Sequence, residues 1–256
     1  MCFAYDAKPP ITPIAGAAVD SEDLVLTSAD GTKFGAFVAR AENPSGAGMV
    51  ILPDVRGLYP FYEELALRFA EEGINAVTFD FFGRTAGVAK RDDTFDFMPF
   101  VRQTKANEIS DDVGACVAYL RSAAGGSCTS VFTVGFCFGG SNSWLQAANG
   151  HGLAGAIGFY GRPGPSFADG SPGPIDRARE MNAPILALMG GADQGIPAEQ
   201  IAELQAALND AGVQNEVITY EGAPHSFFDR TAADHAAASA DAWQRCLAFV
   251  RKYHKS

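Results

Sequence analysis

Basic residues are scarce in this chain: 19 Lys and Arg stand against 30 Asp and Glu, giving a formal net charge of −11 over 256 residues. That balance argues against nucleic acid or an anionic membrane surface as a partner, and any anionic small molecule would have to meet a local positive patch. No apolar run nears the roughly 20 residues of a membrane span. The opening Met1-Cys2-Phe3-Ala4-Tyr5-Asp6 lacks the basic and apolar regions of a secretory signal. Cysteines number 5, irregularly spaced and without a C-x-x-C, so neither a disulfide framework, a zinc site nor a dithiol redox motif is indicated. A cytoplasmic, reducing location is expected, with a small-molecule substrate, no metal or organic cofactor, and a monomer or small homo-oligomer. Internal repeats and low-complexity linkers are also missing. The expected division is an irregular Pro- and Gly-bearing arm over 1–20 and one domain over 21–256.

What is present is an alternation of strands and helices. Leu24-Val25-Leu26 and Phe34-Gly35-Ala36-Phe37-Val38 flank an Asp30-Gly31 turn and predict a hairpin. Gly48-Met49-Val50-Ile51-Leu52 is a continuous apolar run, suited to burial on both faces of a parallel sheet. A helix is predicted over 61–72, a strand over 74–79, and a helix over about 105–122. Further strands are expected over 130–134, 153–159, 184–189 and 215–220, with helices over 198–210 and about 231–253. Such a pattern predicts a doubly wound, mainly parallel α/β sheet with an antiparallel N-terminal edge.

The chemistry concentrates at Gly135-Phe136-Cys137-Phe138-Gly139-Gly140, which follows the strand-like Ser130-Val131-Phe132-Thr133-Val134 and precedes a helix-compatible stretch. Strand, sharp turn and helix with a nucleophile between glycines is the G-x-S-x-G elbow, here with Cys137 in the Ser position. A thiol needs a base, and the base needs an orienting carboxylate. Functional groups on such sheets gather at the carboxyl ends of strands. Asp193 follows the strand that ends in Met189, and His225 follows the strand that ends in Tyr220. The chain order Cys137, Asp193, His225 is the nucleophile–acid–base order of α/β-hydrolases. The oxyanion donors expected from this arrangement are the backbone N–H groups of Phe138, beside the nucleophile, and Val55, in the loop Pro53-Asp54-Val55-Arg56-Gly57. The reading is a hydrolase of small esters or lactones working through a thioacyl-enzyme. Its alternatives are a general carboxylesterase on apolar esters and a non-catalytic binding protein on the same fold.

Over nearly its whole length the chain resembles the dienelactone hydrolase (carboxymethylenebutenolidase) family. The resemblance is carried by the elbow, by Met189-Gly190-Gly191-Ala192-Asp193, by Gly222-Ala223-Pro224-His225-Ser226-Phe227, by Phe159-Tyr160-Gly161 and by Phe79-Asp80-Phe81-Phe82-Gly83-Arg84. It implies an α/β-hydrolase fold without a large lid domain, a Cys–His–Asp triad, and opening of an enol-lactone to a maleylacetate-type product. It also implies a thiol-gating carboxylate at the position of Asp54, which could equally be a salt-bridge partner of Arg56. It implies carboxylate-binding arginines as well. Arg84 matches one such place, while Arg230 is displaced by an extra residue that leaves Asp229 where an arginine would align. Tyr160 could donate a hydrogen bond to substrate or simply pack. The aromatic residues Phe81, Phe82, Phe95, Phe97 and Phe100 could line the site or pack within their own loop.

Overall fold

The structure, a computed structural model, describes residues 4–17 and 19–255. The backbone forms β1 (Val19–Thr27), β2 (Lys33–Ala41), β3 (Ala47–Leu52), α1 (Pro60–Glu71), β4 (Asn75–Phe79), α2 (Gly83–Ala86), α3 (Met98–Val101), α4 (Ala106–Arg121), β5 (Ser130–Phe136), α5 (Phe138–Gln146), β6 (Gly155–Phe159), β7 (Ile185–Gly190), α6 (Ala198–Asp210), β8 (Asn215–Tyr220) and α7 (Ala236–Tyr253). A single 3₁₀ turn covers Ala178–Glu180. The strands join in one eight-stranded sheet of order β1-β2-β4-β3-β5-β6-β7-β8. β1 and β2 pair antiparallel from Val19 with Ala41 to Thr27 with Lys33, and β2 meets β4 antiparallel through Val38 and Val77. From β4 to β8 every pairing is parallel.

The sequence explains this division. Strands β3 to β7 are buried at every residue, as apolar runs must be when helices cover both faces. Helices α1 and α7 share one face, where Phe69 meets Trp243 with ring centroids 4.7 Å apart. Helices α4 and α5 touch on the opposite face, where the Trp144 indole N–H donates to the Leu186 carbonyl at 3.0 Å. β1 is largely exposed and carries Asp20, Glu22 and Asp23, charges that discourage pairing with another edge. No large lid stands over the carboxyl end of the sheet among the described residues, and no described helix is long and apolar enough to cross a membrane.

Two expectations need correction. The arm predicted over 1–20 ends earlier, because Val19 and Asp20 already pair in β1; its residues 1–3 and 18 lie outside the described residues. The last helix starts at Ala236 rather than near Thr231. Before it, Ser226 takes a left-handed φ of 62° and the chain proceeds in turns that bury Phe227 and Phe228. Delivering both rings to the core and His225 to the sheet edge uses up the residues that helical periodicity alone would assign to α7.

Candidate active site

Cys137 is the N-cap residue of α5, with φ 54° and ψ −113°. A non-glycine residue in the left-handed region is strained and persists only where its surroundings over-determine it. They do so here. The Cys137 N–H donates to the Phe159 carbonyl at 3.0 Å, and the Cys137 carbonyl accepts from the Gly140 N–H at 3.0 Å. The flanking glycines are demanded by close approach: a Cβ at Gly135 would lie 1.9 Å from the Gly139 carbonyl oxygen, and one at Gly139 would lie 2.2 Å from the oxygens of both Leu52 and Pro53. The second contact also presses the loop after β3, which holds Val55, against the first turn of α5. The Phe138 N–H opens that helix, where backbone donors lack intrahelical acceptors.

Asp193 and His225 leave the carboxyl ends of β7 and β8, and their loops are tied by the Ala192 N–H donating to the Ala223 carbonyl at 2.9 Å. Asp193 is buried, its side chain 3% exposed, against 33% for His225. The Asp193 Oδ1 accepts the Gly195 N–H at 2.8 Å, which turns Oδ2 toward the imidazole, 2.6 Å from His225 Nδ1. An ionised carboxylate can only accept, so Nδ1 carries the proton and Nε2 is left for the Cys137 side chain, to which His225 is also hydrogen-bonded. Burial works against the charged ring, but the hydrogen bonds and charges of Asp193 and Cys137 outweigh it and lift the His225 pKa to about 10. The arrangement therefore favours an imidazolium beside sulfur, the environment that activates a thiol.

A cavity of about 190 Å³ opens beside Cys137, Phe138 and His225. Tyr160 lines it with φ 37°; its ring centroid is 4.9 Å from that of His225, and its hydroxyl donates to Asp229 Oδ2 at 2.7 Å. Burial, offset only partly by the Arg230 N–H and Tyr160 and reinforced by the nearby Asp54 charge, raises the Asp229 pKa to about 7. Left-handed non-glycine residues thus gather here: of Ser127, Cys137, Tyr160 and Ser226, only Ser127 lies elsewhere.

Other expected residues fall differently. Arg84 is outside the cavity lining: it clasps Asp112 with contacts of 2.7 and 2.8 Å and reaches Asp30 at 3.0 Å. The reason is electrostatic. Burial pushes the Asp112 carboxyl up to about 6, and Arg84 is the cation that opposes this. Arg230 is exposed, also outside the lining, and its backbone N–H donates to Asp229. Asp54 is fully buried with both oxygens engaged by Arg56, Oδ1 also taking the Arg56 N–H at 2.9 Å. The aromatic segment packs within itself, Phe95 stacking on Phe100 at 4.9 Å and both meeting Phe82, while only Phe81 reaches the site's edge, 5.4 Å from Phe138. Arg162 and Phe167 line the cavity and were not anticipated. Arg162 follows β6 directly after Tyr160-Gly161, so the strand-end rule that singled out Asp193 and His225 applies to it equally. Among the described residues no His, Cys, Asp and Glu cluster could hold a metal ion.

Comparison with known proteins agrees with this architecture. The model of the dienelactone hydrolase family matches residues 34–254. A carboxymethylenebutenolidase of Rhodococcus opacus is 30% identical over 236 residues, covering 84% of each chain. A protein of Escherichia coli (strain K12), provisionally named a carboxymethylenebutenolidase, is 29% identical over 262 residues, 96% of this chain and 94% of its own length. Among solved structures, a provisionally assigned dienelactone hydrolase of Klebsiella pneumoniae subsp. pneumoniae MGH 78578 is similar with a TM-score of 0.79 at 26% identity, over 92% of this chain and 100% of its own.

Proposed function

The chain belongs to the dienelactone hydrolase family, whose members hydrolyse esters and lactones, and from that premise we propose that it cleaves a small ester or lactone through a Cys137 thioacyl intermediate. His225, held by Asp193, keeps the sulfur as a thiolate paired with imidazolium. Sulfur attacks the carbonyl carbon, and the carbonyl electrons move onto oxygen, facing the N–H groups of Phe138 and Val55. Such preorganised donors favour the charge that develops only in the transition state. The oxyanion collapses, the C–O bond breaks, and the leaving oxygen takes up the imidazolium proton. Neutral His225 then removes a proton from water as it attacks the thioester. The acid leaves, and thiolate and imidazolium are restored. An enol or aryl oxygen departs readily, which suits sulfur as nucleophile, so enol-lactones of the dienelactone kind and activated aryl esters should outpace simple alkyl esters.

The observation that carries this reading is the unbroken hydrogen-bonded line from Asp193 through His225 to Cys137, converging from the ends of β7, β8 and β5. A gating role for Asp54 would require its carboxylate to leave Arg56, whose N–H and guanidinium it binds across Val55. Rapid mixing with an activated aryl ester tests the mechanism. A burst of phenol stoichiometric with enzyme is expected, together with its abolition by iodoacetamide. Cys137→Ala should lower turnover by at least ~10³. A variant that keeps most of the activity would overturn the covalent route.

A further inference from the structure

The cavity beside Cys137 is positively biased inside a strongly acidic protein. Cys137 and His225 offset each other as an ion pair, Arg162 is the one further charged residue among the described residues that line it, and no carboxylate lines it. Acids bonded to lining residues are already committed. Asp193 faces His225, and Asp229 accepts the Tyr160 hydroxyl. On the loop that follows Arg162, Asp169 takes the Ala106 N–H at 3.0 Å and Asp176 takes the Gly173 N–H at 2.8 Å. No ion pair engages the Arg162 guanidinium among the described residues, in contrast to Arg40, Arg56, Arg84 and Arg91.

Its backbone is nonetheless fixed to the nucleophile's own helix. The Ser141 hydroxyl, in the first turn of α5, donates to the Arg162 carbonyl at 2.7 Å. The preceding Gly161 packs so tightly on that turn that a Cβ would lie 2.5 Å from the Ser141 nitrogen. The cation therefore projects from a point held in register with Cys137, while its side chain remains exposed. Phe138, Leu145, Phe167 and Ile196 give the same lining an apolar part.

We propose that Arg162 is the specificity-determining residue of this site, selecting small esters or lactones whose apolar body carries an anionic group such as a carboxylate. A planar guanidinium matches a carboxylate in two parallel hydrogen bonds, and a chain with net charge −11 attracts such a substrate only where a local cation is left unquenched. The inference deepens the hydrolase reading and rests on it. It places anion recognition on the loop after β6, not at Arg84 or Arg230.

Two measurements separate the ideas. The first is kcat/KM for paired aryl esters with a terminal carboxylate or a terminal methyl on acyl chains of equal length. In Arg162→Gln the anionic-to-neutral ratio should fall ~10- to ~100-fold, the range of one charge-assisted pair, and Arg162→Lys should restore part of it. The second needs no hydrolysis: alkylation of Cys137 by iodoacetate relative to iodoacetamide, read on the Cys137 peptide. That ratio should drop in Arg162→Gln and, in the parent protein, fall with added salt. Ratios unchanged within twofold in both assays, with neutral esters preferred, would overturn the inference and leave a general carboxylesterase. Should neither ester give a burst while the alkylation ratio still depends on Arg162, the hydrolase reading would fail and the anion site would stand.

Discussion

Asp229 shows how one residue's setting can depart from its type. It lies where the resemblance would align a cationic side chain, yet it is a carboxyl that accepts the Tyr160 hydroxyl, and burial lifts its pKa to about 7 from 3.8. The sign follows from linkage. An acid raised in the folded state is destabilising once the unfolded chain ionises, so its unfavourable effect grows from about pH 4 and is complete above pH 7. Asp229→Asn keeps an acceptor for Tyr160 and removes the charge. Its stability relative to the parent should rise by roughly 2 kcal/mol between pH 4 and pH 8, measured by urea unfolding. A constant gap over that range would show that the carboxyl does not titrate there.

At the scale of elements, the elbow is built on backbone contact. Gly139→Ala would push a methyl carbon into the carbonyl oxygens of Leu52 and Pro53 at 2.2 Å, so β3 and α5 would have to part. We expect a loss of at least ~2 kcal/mol in stability, as overpacking of rigid backbone brings. Displacement of Cys137 from His225 should also give a burst amplitude well below one per chain. Full amplitude in a stably folded variant would deny that this contact sets the site. Elements of this kind were legible in the sequence: α6 at 198–210 and β8 at 215–220 match the predicted bounds, and the strand-end positions of Cys137, Asp193 and His225 follow from the order of elements. Less legible was where long side chains end. Apolar periodicity reports which face of α4 is buried, but not that Asp112 lies buried within it, and so not that Arg84 must turn toward it. The position of Arg162 just after β6 was legible by the strand-end rule, but the direction of its side chain was not, because a Gly- and Pro-bearing loop has no period from which orientation could be read.

For the molecule as a whole, Arg84 is a tie between its two halves. It joins Asp30, in the turn of the antiparallel hairpin, to Asp112 on α4, which packs on the parallel strands. Arg84→Met should cost about 2–4 kcal/mol at pH 8, because a buried carboxylate is left without its cation. The loss should shrink by pH 5, below the value of about 6 at which Asp112 takes up a proton. Urea unfolding at both pH values checks this, and an equal loss at each would assign the effect to packing alone.

The bend at residue 137 makes no demand on the atom it presents. Its constraints are left-handed torsions and main-chain crowding at Gly135 and Gly139, and none of them refers to sulfur. Cysteine and serine codons are one base apart, so a lineage carrying this scaffold can exchange thiol for hydroxyl in a single mutational step without rebuilding the framework. Chemistry in such a lineage is thus free to drift while architecture stays put.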